Sequence, residues 1–414
     1  MKKILFMMIV LIPVIMNGQD DKKFGIAFNG YVKTDIYWDS RQTVSIREGQ
    51  FYLYPANEML DNNGQDINAR PNFNFLSIQT RLHGDISGPD VLGAKTSAAI
   101  EGEFFGHSDA DINGFRLRHA FVRLNWPKTE LLVGQYWHPM FNTACYPDVV
   151  NFNTGVPFLP FIRSPQIRIT QKLGGFKIYL TALSQLDFKS NGPDGPNIKY
   201  LRNTAIPAFN LNLEYAIRNA NGFGLLVGVA GGFKSLLPRL YTYVNDTTQY
   251  KATEKIGSFC AQAFIKVEIP KLIIKVAGNY DQDAYDFTMI GGYAVCNFDD
   301  ASRIYTYTPI ATLSCWADIQ TVGKNVQGGL FLGYSKNLGA MENVFNGIYY
   351  SRGNNIGYLY RISPRLIYNV GKFRLAPEID YTVAAYGTPG LDGIPKDVKE
   401  IGNLRFLLGV YYFF

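Results

Sequence analysis

Residues 404–414 read Leu-Arg-Phe-Leu-Leu-Gly-Val-Tyr-Tyr-Phe-Phe. One parity carries Leu404, Phe406, Leu408, Val410, Tyr412 and Phe414; the other carries Arg405, Gly409 and Tyr411. Successive side chains of a strand point to opposite faces, so this stretch predicts a strand with one wholly apolar face. At an open edge in water its unpaired backbone groups would invite aggregation. It is accommodated if it pairs with the first strand and closes a barrel whose outer face meets lipid. The alternative is a core strand of a soluble β-protein. That reading is the weaker one, because the same alternation recurs along the whole chain.

A terminal Phe after such alternation resembles the closing strand of bacterial outer-membrane β-barrels. The other end of the chain agrees. Lys2 and Lys3 precede an apolar run, residues 4–16, and Asn17-Gly18-Gln19 offers a cleavage point after Gly18. We therefore expect a signal peptide over 1–18 and a barrel over 19–414. Cleavage would remove two lysines and lower the formal charge from +6 to +4. The run is too short for an anchor, and no Cys follows the cleavage point, which argues against a lipoprotein. No linker, charge block or low-complexity tract divides the rest, so a single domain is expected.

Mean hydropathy is −0.05, and no later apolar run is long enough for a helix to span a bilayer. That excludes a helical membrane protein but not a barrel, in which only alternate residues must be apolar. The 27 Tyr, 29 Phe and 40 Gly suit aromatic girdles and closely packed strands. Cys145, Cys260, Cys296 and Cys315 lack CxxC spacing, so zinc is unsupported. Cys145 and Cys296 fall in loops where they could pair, free thiols being the plainer reading. There is no basic tract to suggest nucleic acid.

In order, the first strand is expected over 25–38 and a long polar loop over 39–71, with Asp61-Asn62-Asn63-Gly64 as a solvated turn. The second strand, 73–86, should send Leu76, Ile78 and Leu82 outward and Gln79, Arg81, His83 and Asp85 inward. The third covers 92–104. In the fourth, 115–126, Arg116 and Arg118 share a parity with Val122, Leu124 and Trp126. A bulge would resolve the conflict; otherwise both arginines face outward near the headgroups. The fifth strand is 131–138. The connection 138–163 follows, and then strands six and seven about Gly174-Gly175, with Arg168 and Lys177 inward. Strands eight (208–217) and nine (223–233) follow. Gly222-Phe223-Gly224 has the wrong spacing for a dinucleotide site. It reads instead as the start of a glycine-lined inner wall through Gly228 and Gly232. Pairs then flank Pro270, Gly323-Lys324 and Gly371, and the closing strand is the sixteenth. Short turns alternate with longer loops, as at the periplasmic and extracellular ends of such barrels.

Catalytic motifs are lacking: four His are scattered, with no G-x-S-x-G, H-E-x-x-H or phosphate loop. The informative chemistry is basic. Lys33, Arg81, Arg361, Arg365, Arg374 and Arg405 fall on neighbouring strands, and Arg168 on the sixth. An Arg facing lipid at mid-depth costs about 2–4 kcal/mol, so all are assigned to the lumen. There they would attract anions, or pair with acids such as Asp35, Asp85, Glu378 or Asp380. The connection 138–163 is the third on the extracellular side. It is rich in Phe and stiffened by Pro147, Pro157 and Pro160. We expect it to fold inward and narrow the channel, with Asp148 facing the basic wall.

Phe115-Arg116-Leu117-Arg118-His119-Ala120-Phe121-Val122 followed by Leu131-Leu132-Val133-Gly134-Gln135-Tyr136-Trp137 is similar to DcaP-type porins of Gram-negative bacteria, with Gly30-Tyr31-Val32-Lys33 as a weaker echo. In overall style the chain resembles barrels of the Bacteroidetes. The resemblance implies a sixteen-stranded, homotrimeric outer-membrane porin passing small, often anionic, hydrophilic solutes, without a cofactor, among lipid and lipopolysaccharide. The coiled coil that some members carry ahead of the barrel is absent. The expected fold is therefore all-β, a transmembrane antiparallel barrel with an inward loop between strands five and six. A barrel that binds a ligand or polymer through its loops, as an adhesin or a partner of a nutrient-uptake system, is the alternative.

Overall fold

Sixteen strands run antiparallel to their neighbours around a closed ring. The structure, a computed structural model, describes residues 24–244, 248–301 and 303–414. The expected signal peptide lies outside the described residues. The strands are β1 (Gly25–Asp39), β2 in two segments (Asn72–Leu76 and Arg81–Ser87), β3 (Lys95–Glu103), β4 (Arg116–Asn125), β5 (Thr129–Trp137), β6 (Arg163–Leu173), β7 (Phe176–Leu183) and β8 (Ala208–Arg218). They continue as β9 (Gly224–Leu236), β10 (Ile256–Ile269), β11 (Leu272–Gln282), β12 (Ile304–Thr321), β13 (Val326–Ala340), β14 (Ile356–Val370), β15 (Phe373–Pro389) and β16 (Pro395–Phe413). β16 pairs with β1 from Tyr31↔Phe413 to Asp39↔Arg405. The expected closing strand therefore closes the ring and leaves no edge.

Polarity is inverted relative to a water-soluble protein. On β8, Phe209, Leu211 and Leu213 are 46%, 49% and 43% exposed, whereas Asn210, Asn212 and Glu214 are 2%, 3% and 7% exposed. β14 repeats this with Ile362 and Leu366 outside and Arg361, Ser363 and Arg365 buried inside. An apolar outer face on a closed ring of strands is the solution a bilayer imposes. Aromatic pairs sit toward both ends of the outer wall, such as Phe176–Tyr215 at one end and Phe233–Phe259 at the other.

Register shifts occur at several strand pairs, and two of them decide faces that the sequence left open or misassigned. On β4, Glu101 pairs with His119 and Gly102 with Leu117, so Arg118 is the extra residue of a bulge. Arg116 and Arg118 both become buried inside while Val122 stays outside. The bulge is thus the resolution of the two expected, and the outward arginines are excluded. On β2, Leu76 pairs with Asp35 and Arg81 with Tyr31. Four residues, 77–80, oppose three on β1, and the parity flips. The outward placement of Leu76 and Ile78 is corrected accordingly. Ile78 is buried, Leu76 is half-buried, and Phe73 and Phe75 take the outer face; Leu82 is outward as expected.

Short turns such as 126–128, 174–175 and 270–271 occupy one end of the ring, together with Gly30 and Phe414. The long connections, including 40–71, 138–162 and 184–207, emerge at the other. The connection 40–71 is not simply polar. It contains a hairpin, Thr43–Ile46 with Phe51–Pro55, whose Phe51, Tyr52, Leu53 and Tyr54 are all buried. Asp61 does form the expected turn, its carboxylate accepting the Asn63 and Gln65 amides. All four cysteines are free.

Closure is tightest at Gly30, where a Cβ would lie 2.2 Å from the Arg81 carbonyl oxygen and 3.0 Å from the Phe414 ring. Gly30 and Phe414 exchange backbone hydrogen bonds there. Deleting Phe413 and Phe414, or substituting Gly30→Val, should cut the yield of heat-modifiable barrel severalfold on unheated denaturing gels. Wild-type yield from both variants would show that assembly does not depend on the seam.

Candidate functional site

The interior is organised by segment 138–162, which bonds to inward-facing side chains around much of the ring. Asn212 on β8 and Gln262 on β10 donate to the carbonyls of Pro139 and Met140, each at 2.9 Å. Asn142 donates to Glu214, and Lys275 on β11 pairs with Asp148 at 2.5 Å. On β15, the Glu378 carboxylate accepts the amides of Val150 and Asn151 at 2.7 and 2.9 Å. Asn151 also donates to Asp380. Arg361 reaches the Val156 carbonyl from β14, and Lys33 reaches that of Val150 from β1. The segment's Phe152, Val156, Phe158, Leu159 and Phe161 are buried in one cluster with Phe264, Trp316, Phe331 and Leu359 of the wall. Phe158 lies against Gly333, where a Cβ would come within 2.5 Å of the ring. The glycine stripe of β9 is not open space of this kind: Phe264 fills the room over Gly228.

Most of the basic residues expected to line a channel are committed to these contacts. Arg361 is 2% exposed and donates to the carbonyls of Leu53 and Val156. Arg405 pairs with Asp39 at 2.6 Å and donates to the Gly49 carbonyl. Arg365 and Asp318 pair at 2.6 Å with both side chains fully buried. Lys33 pairs with Asp35 at 3.0 Å. Arg374 bonds Asn369 beside the rings of Tyr411 and Phe413, and Arg168 donates to the Trp137 carbonyl. Removing a charge from water costs several kcal/mol unless it is paired, so these cations take carboxylates and loop carbonyls as partners. Arg361, Arg405 and Lys33 fasten 40–71 and 138–162 to the wall, whereas Arg365, Arg374 and Arg168 bond one part of the wall to another. Asp148, paired with Lys275, is likewise committed.

Two of the larger cavities lie along β2–β6, and a third, about 300 Å³, lies along β7–β10 with Lys177, Glu214, Lys266 and Glu268 on its lining. A cavity of about 370 Å³ is lined by Arg81, Arg118, His83, Glu101 and Tyr136 from the wall and by Tyr146 of the central segment. Of the predicted cations, Arg81 alone lines this cavity. A second cavity, about 430 Å³ and nearer the long loops, is lined by Arg47, Arg116, Lys189 and Arg352 against one carboxylate, Asp187. Between them runs a chain of charge-assisted bonds. Glu101 accepts from Arg118 at 2.6 Å; Glu103 accepts from Arg118 and Arg116, each at 2.7 Å, and from Arg81 at 3.1 Å. Asp187 continues it to Arg116 at 3.1 Å and Arg163 at 2.5 Å. Phe105 stacks on Phe152 at 4.3 Å beneath Arg116 and Arg47.

Burial raises the Asp187 carboxyl, but Arg163 and Arg116 outweigh it and hold the group below the ordinary carboxylate range. His138, at the start of the central segment, is pushed down to about 3 by burial and then by Arg168 and Lys234. It stays neutral, and its Nδ1 accepts the Met140 amide. The sequence signalled Arg116 and Arg118 only through the parity conflict on β4. Arg47, Arg163 and Asp187 meet through loop packing and carry no periodic signal.

No protein-family profile matches the chain, and no curated protein matches it. Solved structures do. The outer-membrane channel DcaP of Acinetobacter baumannii is 15% identical over 96% of this chain and 99% of its own, with a TM-score of 0.67. OmpT, an outer-membrane protein of Vibrio cholerae, is 11% identical over 94% and 98%, with a TM-score of 0.53. An anion-selective porin from Comamonas acidovorans is 12% identical over 95% and 100%, with a TM-score of 0.51. At these identities the likeness is one of fold: this chain has the barrel of the outer-membrane porins, as its resemblance to DcaP-type proteins implied.

Two outcomes follow from these ion pairs. Arg365→Ser strands Asp318 without its partner, at a cost of about 3–5 kcal/mol. It should therefore lower the temperature at which the folded gel band is lost; an unchanged temperature would mean that water reaches Asp318. Asp187 has a folded-state pKa below its unfolded value. Its contribution is thus complete above the unfolded value, about 4, and is lost as pH falls through the folded one. Single-channel current should be steady from pH 8 to 5 and noisy in stronger acid, while Asp187→Asn should be noisy already at pH 7.

Proposed function

We propose that this chain is an outer-membrane porin, a passive water-filled channel for small hydrophilic solutes with a preference for anions. The supporting observation is a closed ring, apolar outside and polar inside, with arginines lining the two cavities along β2–β6. The cavity near the long loops has four cations and Asp187 on its lining, with Glu103 and Asp109 paired to Arg116 and Arg47 behind it, so cations still outnumber carboxylates. Two unit charges 4 Å apart interact by about 1 kcal/mol in bulk water and by more where low-dielectric walls confine the field. Since 1.4 kcal/mol is tenfold, such a lining enriches small anions severalfold. The long loops are assigned to the cell exterior and the short turns to the periplasm.

Segment 138–162 serves in this reading as the inward loop that narrows the path and pushes it against β2–β6. The hydrogen bonds to β1, β8, β10, β11, β14 and β15 support that role. The selective residues are then Arg81 in one cavity and Lys189 and Arg352 in the other, while Arg116 and Arg118 are held by Glu101, Glu103 and Asp187. Arg361, Arg365, Arg405 and Lys33 act as struts. A homotrimer in lipid and lipopolysaccharide is the expected assembly; one OmpT structure is described as a trimer form.

Planar-bilayer recordings test this directly. In a salt gradient the reversal potential should report anion preference, and Arg81→Ser with Arg352→Ser should move it toward cations. Cation preference in the wild type would overturn the selectivity. Deleting 151–157 should raise single-channel conductance; unchanged conductance in a properly assembled variant would remove the segment from the constriction.

A further inference from the structure

Every short turn of the ring carries a cation. Lys128 sits between β4 and β5, Lys271 between β10 and β11, Lys324 between β12 and β13, and Lys372 between β14 and β15. Lys95 opens β3, Lys172 and Lys177 flank the turn at 174–175, and Arg218 closes β8. The ammonium groups of the seven lysines make no hydrogen bond or ion pair within the described residues, and all but the half-buried Lys172 are exposed. The acids at this end are fewer. Glu130 pairs with Arg123 at 3.4 Å, Glu268 with Lys266 at 2.6 Å and also with Arg218, and Asp85 lies 3.1 Å from His83. With Asp90 and the Phe414 carboxylate counted as well, cations remain in excess among the described residues.

Parity tells where the wall lysines point. Lys172 shares a face of β6 with Thr170, which is buried, and Lys177 shares one of β7 with Thr181, which is also buried. Lys95 has the opposite parity to the outward Ile100 on β3. All three therefore face the lumen at its mouth. The lipid side of the same rim is apolar, with Leu173, Phe176, Val326, Val370 and Phe373 outward. A lysine serving lipid headgroups would stand on that outer face, and none of the three wall lysines does. Lys177 also lines the cavity of about 300 Å³ against Gly175, where Lys177, Arg218 and Lys266 meet Glu214 and Glu268.

We propose that this lysine ring is a second anion filter, an electrostatic funnel at the periplasmic mouth that is separate from the arginine-lined cavities; the proposal rests on the porin reading. Turns two strands apart lie about 10 Å or more from each other along the rim. The Debye length is about 10 Å at 0.1 M salt and about 3 Å at 1 M. The lysine fields therefore overlap at the lower salt. Their sum draws small anions to the mouth, where no single exposed ammonium would hold one. At the higher salt each field is screened before it meets the next. The cavity arginines are partly buried and are screened much less. A funnel of this kind selects by charge alone, so chloride and a small organic carboxylate are drawn alike.

The test uses planar bilayers of neutral phosphatidylcholine, with potassium chloride gradients centred on about 0.1 M and on about 1 M. One variant replaces all seven lysines with Ser. A second, Lys95→Ser with Lys172→Ser and Lys177→Ser, alters the mouth wall alone and serves if the first does not assemble, which heat-modifiability reports. The anion-to-cation permeability ratio should fall about twofold or more at the lower salt and stay nearly constant at the higher. Arg81→Ser with Arg352→Ser should lower the ratio at both. An unchanged ratio at the lower salt in an assembled lysine variant overturns the proposal. So does an equal fall at the higher salt, which places the lysines in the constriction, or a fall seen only after phosphatidylglycerol is added, which makes them a headgroup-binding rim. A conducting wild type matched by its lysine variants overturns the funnel and leaves the porin reading standing; a wild type that does not conduct overturns both.

Discussion

Lipid offers no hydrogen-bond partners, and the rest of this structure follows from that constraint. Every backbone group of a spanning segment must pair within the protein, so the sheet has to close. Closure rests on the nine-residue register between β1 and β16 and on the exchange between Gly30 and Phe414. Once the ring is closed its outer face must be apolar, and the polar residues of every strand turn inward. Where the sequence cannot keep strict alternation, one extra residue restores it. Arg118 does so on β4 and residues 77–80 do so on β2.

An interior lined with charged side chains then has to be balanced. Along β1 and β13–β16 the balance is struck by loops. Carbonyls at 49, 53, 150 and 156 receive Arg405, Arg361 and Lys33, while Glu378 receives two loop amides. Aromatic rings from 51, 152 and 158 fill the space between. The same charges that make the wall soluble inside thus fix the position of the segments that obstruct it. Along β2–β6, carboxylates alternate with arginines and room for water remains. The wall is thus most tightly packed along β1 and β13–β16, and the larger cavities lie elsewhere around the ring.

Period-2 alternation determined the architecture from the sequence alone. Strand existence, the sixteen-strand count, the closing role of 404–414 and the outward faces of β8 and β14 all follow from a local rule, and the bilayer enforces that rule at every residue. The inward assignment of Arg361, Arg365 and Arg405 was equally legible, because an outward cation costs too much. What those cations do once inside was not legible. Only the tertiary structure decided that Arg361 holds loop carbonyls, that Asp148 belongs to Lys275, and that the hairpin at 43–55 is buried. It also decided that Arg116, Arg118, Arg163 and Asp187 form the chain of ion pairs beside the cavities. A side chain's face is fixed by its parity. Its partner is fixed by which loop fills the lumen in front of it, and that depends on long-range contacts such as Arg361 with Leu53 and Lys275 with Asp148, which no local periodicity encodes.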